Sequence, residues 1–232
     1  MNQAQRNHLY GFGLSLLGGF VDTLGFVALF GLFTGHITGN FVLIGAELSR
    51  ATHESIALKL MAFPAFIAGV SGARLLAAGL ERRAISSLRY ALAAELALLA
   101  GFMVCGVLGA PVLDDTHLLP IAAGLLGACA MGVHSATSRL QLASLPPTSM
   151  MTGNVTQLIL DVTDVLRGAA DAATRTRAAK FLRAIAGFAC GAILGAFGYT
   201  HVGFAALALP LAILLVLIAL EVRQMPASTA NT

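Results

Sequence analysis

Phe33-Thr34-Gly35-His36-Ile37-Thr38-Gly39-Asn40 and, far downstream, Pro147-Thr148-Ser149-Met150-Met151-Thr152-Gly153-Asn154 are two copies of one frame. Each follows a long apolar run and leads into a shorter one. Gly costs a helix interior about 1 kcal/mol relative to Ala, and Thr and Asn bond neighbouring backbone in competition with the helix. The same residues suit a helix start, where Thr or Asn caps the free N–H groups that follow. Breaks of this kind within a membrane are tolerated where the backbone is buried in protein or lines a cavity. One TGN alone reads as an ordinary loop turn. Duplication at matched positions reads as an internal repeat and makes Thr38, Gly39, Asn40, Thr152, Gly153 and Asn154 candidate solute-binding residues.

The composition places those breaks in a bilayer. The chain is 57% hydrophobic and 11% charged, with mean hydropathy +0.84, whereas a soluble domain carries about one quarter charged residues. Apolar runs near the roughly 20 residues of a spanning helix recur along the whole length, so no separate soluble domain is expected. The formal charge of +3 and pI near 9.0 do not signal nucleic acid, because the basic residues cluster between apolar runs. Cys105, Cys129 and Cys190 form no C-x-x-C pair and read as small packing residues. The first apolar run is too long for a signal peptide and contains Asp22, so it is expected to be retained.

Six spans are predicted: Leu9 to Phe33, Leu60 to Leu80, Tyr90 to Ala110, Leu118 to Ser138, and two within Ala184 to Leu220, which turns at Gly198 or Gly203. Phe41 to Leu48 and Val155 to Leu160 are too short to cross and read as re-entrant half-helices. Asp161 to Arg183 reads as a solvated, helical linker rather than a binding patch. With this arrangement Arg6, Arg82, Arg83, Arg89, Arg139, Arg167, Arg175, Arg177, Lys180, Arg183 and Arg223 fall on one side, against Arg50 and Lys59 on the other. The positive-inside bias places both termini in the cytoplasm. Three spans per repeat, about 9–110 and 118–220, make the repeats inverted. The expected fold is an all-α integral membrane protein of six transmembrane helices, built as two inverted three-helix repeats with a broken segment at each TGN. Tyr10, Tyr90 and Tyr199 lie near span ends and suit interfacial anchors.

Gly19-x-x-Asp22, Thr38-Gly39-Asn40 and Phe66-x-x-Gly69, with the second set Gly132, Thr152-Gly153-Asn154 and Phe188-x-x-Gly191, resemble the YoaK-like family of small bacterial inner-membrane proteins, whose biochemical function is unknown. The resemblance covers nearly the whole chain. It implies a plasma-membrane location and a transporter, and supplies no substrate. Family members carry amide residues after the glycine of the fourth span, where this chain has His134-Ser135.

Ionisable groups within spans are functional candidates, since burying them is costly. Asp22 leads them, near the middle of its span and just before the first TGN. His134 is a candidate proton carrier or ligand, set against the reading of a satisfied packing histidine. His36 is a further candidate. Glu95 and Arg74 are expected to form a structural ion pair, and Arg139 to mark a helix end. The sequence reading is a secondary transporter of a small solute, an anion or carboxylate drawn to two half-helix N-termini, with proton coupling through Asp22. The alternatives are a non-transporting intramembrane binding or structural protein, and a passive channel. No metal spacing, nucleophile–base pair or cofactor loop stands out, so no enzyme, metal or cofactor is expected. The expected partners are the lipid bilayer and the solute, not nucleic acid, and a homo-oligomer is left open.

Overall fold

The computed structural model describes residues 2–49, 56–112 and 117–223, and among these the regular structure is entirely helical. The order is α1 (Gln3–Ala28), α2 (Ile37–Leu48), α3 (Ile56–Glu81), α4 (Leu88–Leu108), α5 (Leu118–Leu140), α6 (Met151–Leu166), α7 (Ala172–Val202), a 3-10 turn (Gly203–Leu207) and α8 (Ala208–Arg223). Five stretches are long and apolar enough to cross a membrane: Gln5–Ala28, Ile56–Glu81, Leu88–Gly109, Leu118–Leu140 and the 52-residue Ala172–Arg223. The last contains two helices. Gly203, at φ +61, ends α7, while Gly198 stays helical against Ala206. With 16 residues, α8 is shorter than the roughly 20 of a straight span.

Two close helix pairs form the framework, and glycine makes both. In the α1–α7 pair a Cβ on Gly19 would lie 2.1 Å from the Phe188 carbonyl oxygen, and one on Gly191 would lie 1.9 Å from that of Leu16. In the α3–α5 pair a Cβ on Gly132 would lie 2.3 Å from the Phe66 carbonyl oxygen, and one on Gly69 would lie 2.1 Å from that of Cys129. Lipid provides little hydrophobic drive between helices, so association depends on close backbone approach of this kind. The two pairs use matching residues: Gly19 corresponds to Gly132, and Phe188-x-x-Gly191 to Phe66-x-x-Gly69.

Side-chain contacts gather the basic ends of the helices together. Arg6 of α1 pairs with Glu221 of α8, Gln141 after α5 donates to Ser87 before α4 at 3.1 Å, and Arg183 of α7 meets His8 of α1 at 2.8 Å. Tyr10 is buried rather than interfacial, with its hydroxyl 3.1 Å from the Leu217 carbonyl oxygen and 2.5 Å from Glu221. At the opposite end, Lys59 of α3 donates to Glu47 of α2 at 2.7 Å and to the Phe30 carbonyl at 2.8 Å.

Several boundaries differ from the sequence expectation. The first helix ends at Ala28, so Asp22 lies in its last two turns rather than near its middle. Each TGN lies inside the first turn of its short helix, not ahead of it. The stretch from Asp161 to Arg183 is helical, as expected, but its residues extend the flanking helices: α6 runs to Leu166 and α7 starts at Ala172, capped by Asp171 accepting from the Thr174 N–H, so only 167–171 connect them. The connections after α2, 50–55 with Arg50, and before α5, 113–116, lie outside the described residues.

Candidate functional site

The first polar centre exists because the chain turns back on itself after α1. Phe30 at φ +52 and Gly31 at φ +73 reverse the backbone, and Leu29 and Leu32 bury themselves beside α1. A Cβ on Gly25 would meet Thr34 at 2.8 Å, so glycine there lets the returning segment lie flat on the helix. The segment reaches Asp22, about 9 Å along the axis from the end of α1 at 1.5 Å per residue. The Asp22 carboxylate accepts from the Gly35 N–H at 2.6 Å and lies 2.5 Å from His36 Nδ1. The His36 N–H and the Thr34 hydroxyl approach at 3.4 Å. Asp22 itself is sealed, while the His36 side chain is one third exposed (33%). The His36 ring stands edge-on to Phe188 of α7, with centroids 5.7 Å apart.

The second centre follows the same plan with different chemistry. The chain after α5 returns to place the Thr148 hydroxyl 2.8 Å from His134 Nε2, and His134 Nδ1 lies 2.8 Å from Glu95 of α4. His134 and Glu95 are both buried, and Glu95 Oε2 has no hydrogen-bond partner among the described residues. An unused carboxylate oxygen in a sealed interior is costly, so the Glu95–His134 contact must carry nearly all of the compensation. The expected Glu95–Arg74 pair does not form. Arg74 faces outward and pairs with Glu81 at 3.4 Å, seven residues along its own helix.

Asn40 and Asn154 are clamps rather than caps. Asn40 accepts from the Phe33 N–H at 2.9 Å and donates to the Phe33 carbonyl at 2.8 Å. Asn154 donates to the Pro147 carbonyl at 2.7 Å; Pro147 has no N–H, so the second bond of the clamp is unavailable. The residues that precede the short helices, His36 and Met150, make no side-chain cap. Thr38, Thr152 and Gly153 are exposed, and Gly39 packs on the Phe33 ring.

Both loops lie between α1 and α5. A Cβ on Gly18 of α1 would meet the Thr148 carbonyl at 2.8 Å and His134 Nε2 at 3.6 Å, while one on Gly35 would meet Met131 of α5 at 3.1 Å and Asp22 at 3.5 Å. The structure therefore brings Asp22, His36, Asn40, His134, Thr148 and Asn154 to one region at the helix crossings. A cavity of about 310 Å³ opens beside it, lined by His36, Thr38 and Ser71 with Phe63, Phe66, Val70 and Met150. Asp22 and His134 stay behind this wall. Glu95 and Thr148 belong to the centre although sequence reasoning gave Glu95 another partner and left Thr148 aside. The position of Thr148, matching Thr34 in the repeated frame, was the signal available for it.

Residues 10–220 match the family described as a protein of unknown function, DUF1275, and the chain belongs to this family. It is 32% identical over 161 residues to the UPF0700 transmembrane protein YoaK of Bacillus subtilis (strain 168), covering 68% of each chain. No solved structure matches. With its apolar helices and this relative, the chain is a multi-pass membrane protein.

Proposed function

We propose that this protein is a secondary transporter for a small solute, built from two inverted three-helix repeats and six spans, with α2 and α6 as re-entrant half-helices. One observation carries the reading: two broken segments, each clamped by its TGN asparagine, meet between α1 and α5 beside a carboxylate–histidine pair. Broken helices that meet at an interface between repeats are the usual way transporters build a solute site. The mixed lining of the cavity suits a solute with one anionic group, held at His36 and the α2 N-terminus, and an apolar remainder against Phe63 and Phe66. Asp22 acts through His36, which alone of the two faces the cavity, and the pair is the coupling site for a proton. The sealed Glu95–His134–Thr148 chain favours a second reading, a non-transporting bundle in which the breaks serve packing. The basic ends face the cytoplasm of the inner membrane, with both termini inside; a cysteine replacing Ala172 is then labelled from the cytoplasmic side only.

Asp22→Asn tests the function. It keeps size and hydrogen bonding but cannot ionise, so the expected outcome is substrate exchange preserved and uptake driven by a pH gradient abolished, measured in the same proteoliposomes. Full gradient-driven accumulation by the variant would remove Asp22 from coupling. Absence of saturable flux in the wild type would favour the structural reading.

A further inference from the structure

We propose that the cavity between the basic ends of α1 and α7 binds a small organic anion, with its carboxylate or phosphate oxygens on Lys180 and Arg183 and its apolar part over Gly11. The cavity has a volume of about 330 Å³ and continues past Leu145 and Pro146 into a second, wider one. Its walls follow helical spacing. Gln3, Asn7 and Gly11 line it from α1, and Thr176, Lys180 and Arg183 line it from α7; residues three or four apart share a helix face. No acidic residue lines it, and among the described residues neither Lys180 nor Arg183 forms an ion pair. The nearby acids are engaged elsewhere: Asp161 by Arg177, Glu221 by Arg6, and Asp171 by the Thr174 N–H. Arg183 instead meets His8 Nε2 at 2.8 Å, a contact that uses the imidazole lone pair and brings no negative charge. Two cations on one stripe of a helix repel each other, and an anion between them relieves that repulsion.

The space is not a general consequence of glycine at this position. Counting eight residues back from Gly19 and Gly132 gives Gly11 in α1 and Gly124 in α5. A Cβ on Gly124 would meet Leu32, Leu58 and Leu29 at 2.8, 3.2 and 3.5 Å, whereas one on Gly11 would meet nothing within 4 Å. Where the other end of the bundle is filled with leucine, this end holds an open floor and a cationic wall.

This inference does not rest on transport, because binding is read without flux. The protein, purified in neutral detergent, is titrated with benzoate, phenyl phosphate and the neutral isostere benzamide, with thermal stability and equilibrium binding of labelled benzoate as readouts. Benzoate and phenyl phosphate are expected to raise the melting temperature, and benzamide not to. Gly11→Leu puts its Cβ into open space, fills the floor and is expected to abolish the shift, and Lys180→Gln with Arg183→Gln to weaken binding at least ~10-fold. Nanodiscs of phosphatidylcholine with and without phosphatidylglycerol separate the sources of the anion: a stability gain from phosphatidylglycerol that is lost in Gly11→Leu and competes with benzoate identifies a lipid headgroup as occupant. An anion shift that persists in Gly11→Leu and in the double variant, or no response to any of these anions, overturns the proposal.

Discussion

The two ends of the bundle present the same residues in two states of packing. At the end away from the basic residues, Gly124 is covered by Leu29, Leu32 and Leu58, and the neighbouring Glu47–Lys59 pair is drawn inside, with the Lys59 side chain 1% exposed. At the basic end, Gly11 faces a cavity, and the matching pair, Asp161–Arg177, leaves the Arg177 side chain 47% exposed. The helix pairs that frame both ends make equivalent glycine contacts, so the difference lies in what covers these two glycines: Leu29 and Leu32 of the chain after α1 with Leu58 of α3 at one end, and a cavity walled by Lys180 and Arg183 of α7 at the other. In the transport reading, that difference is the conformation: closed at one end, open at the other, with the reverse arrangement available to the same scaffold.

The two carboxylate–histidine pairs differ in the same way, and breaking the sealed one has the larger effect. Glu95→Ala leaves His134 Nδ1 without its partner in a site that water does not reach. The expected loss is about 3 kcal/mol or more, since removing one member of a buried pair strands the other. Asp22→Asn preserves an acceptor for the Gly35 N–H and is expected to cost under about 1 kcal/mol. Apparent melting temperatures of both variants in one detergent check this. Equal losses would mean that an amide at position 22 does not replace the bonds of the carboxylate, and the contrast would fall.

Next in size is the contrast at the paired glycines. Gly124→Leu must displace Leu32 and Leu58 and is expected to destabilise by about 1–3 kcal/mol, the usual cost of overpacking a filled core. Gly11→Leu enters open space and is expected to be neutral or stabilising, because glycine is a poor helix residue. If both substitutions are tolerated alike, the closed end is as loose as the open one.

The sequence disclosed the helical membrane class because hydropathy acts over whole spans, and the duplicated TGN pointed to the two short helices whose asparagines hold the preceding chain. Phe66-x-x-Gly69 and Phe188-x-x-Gly191, which the sequence offered as family motifs, turn out to be packed faces, since close approach demands small residues. Partnerships within the centres were not legible. Nothing in local spacing says that Glu95 meets His134 on a neighbouring helix, or that Arg74 turns away to Glu81. The clamp made by Asn40 was misread as a cap for a related reason: both roles use a short amide beside a helix start, and only the path of the returning chain distinguishes them. The stretch from Asp161 to Arg183, read as solvated and helical, is helical and mostly exposed, but its first residue is not: Asp161 is buried under Arg177 and joins α6 to α7.

That last pair offers the finest test of the difference between the ends. The Arg177 guanidinium bonds Asp161 through Nε and Nη2, at 3.0 and 2.7 Å, and holds its carboxyl below the usual range, with Gln157 adding a further bond at 2.8 Å. A carboxyl whose folded pKa is depressed contributes stability above its unfolded value, near pH 4, and loses that contribution as pH falls through the lower folded value. The melting temperature of the wild type is therefore expected to fall on acidification below about pH 4, and Asp161→Asn to make that fall shallower while lowering stability slightly at neutral pH. Because Arg177 is half exposed, salt should shrink the difference between wild type and variant. Replacing Lys59 by Met at the closed end should respond differently, with a loss that salt does not relieve, since that ammonium is shielded from solvent. An acid limb unchanged by Asp161→Asn would show that the α6–α7 pair does not hold in solution, and a salt-sensitive Lys59→Met would show that the closed end is open to water.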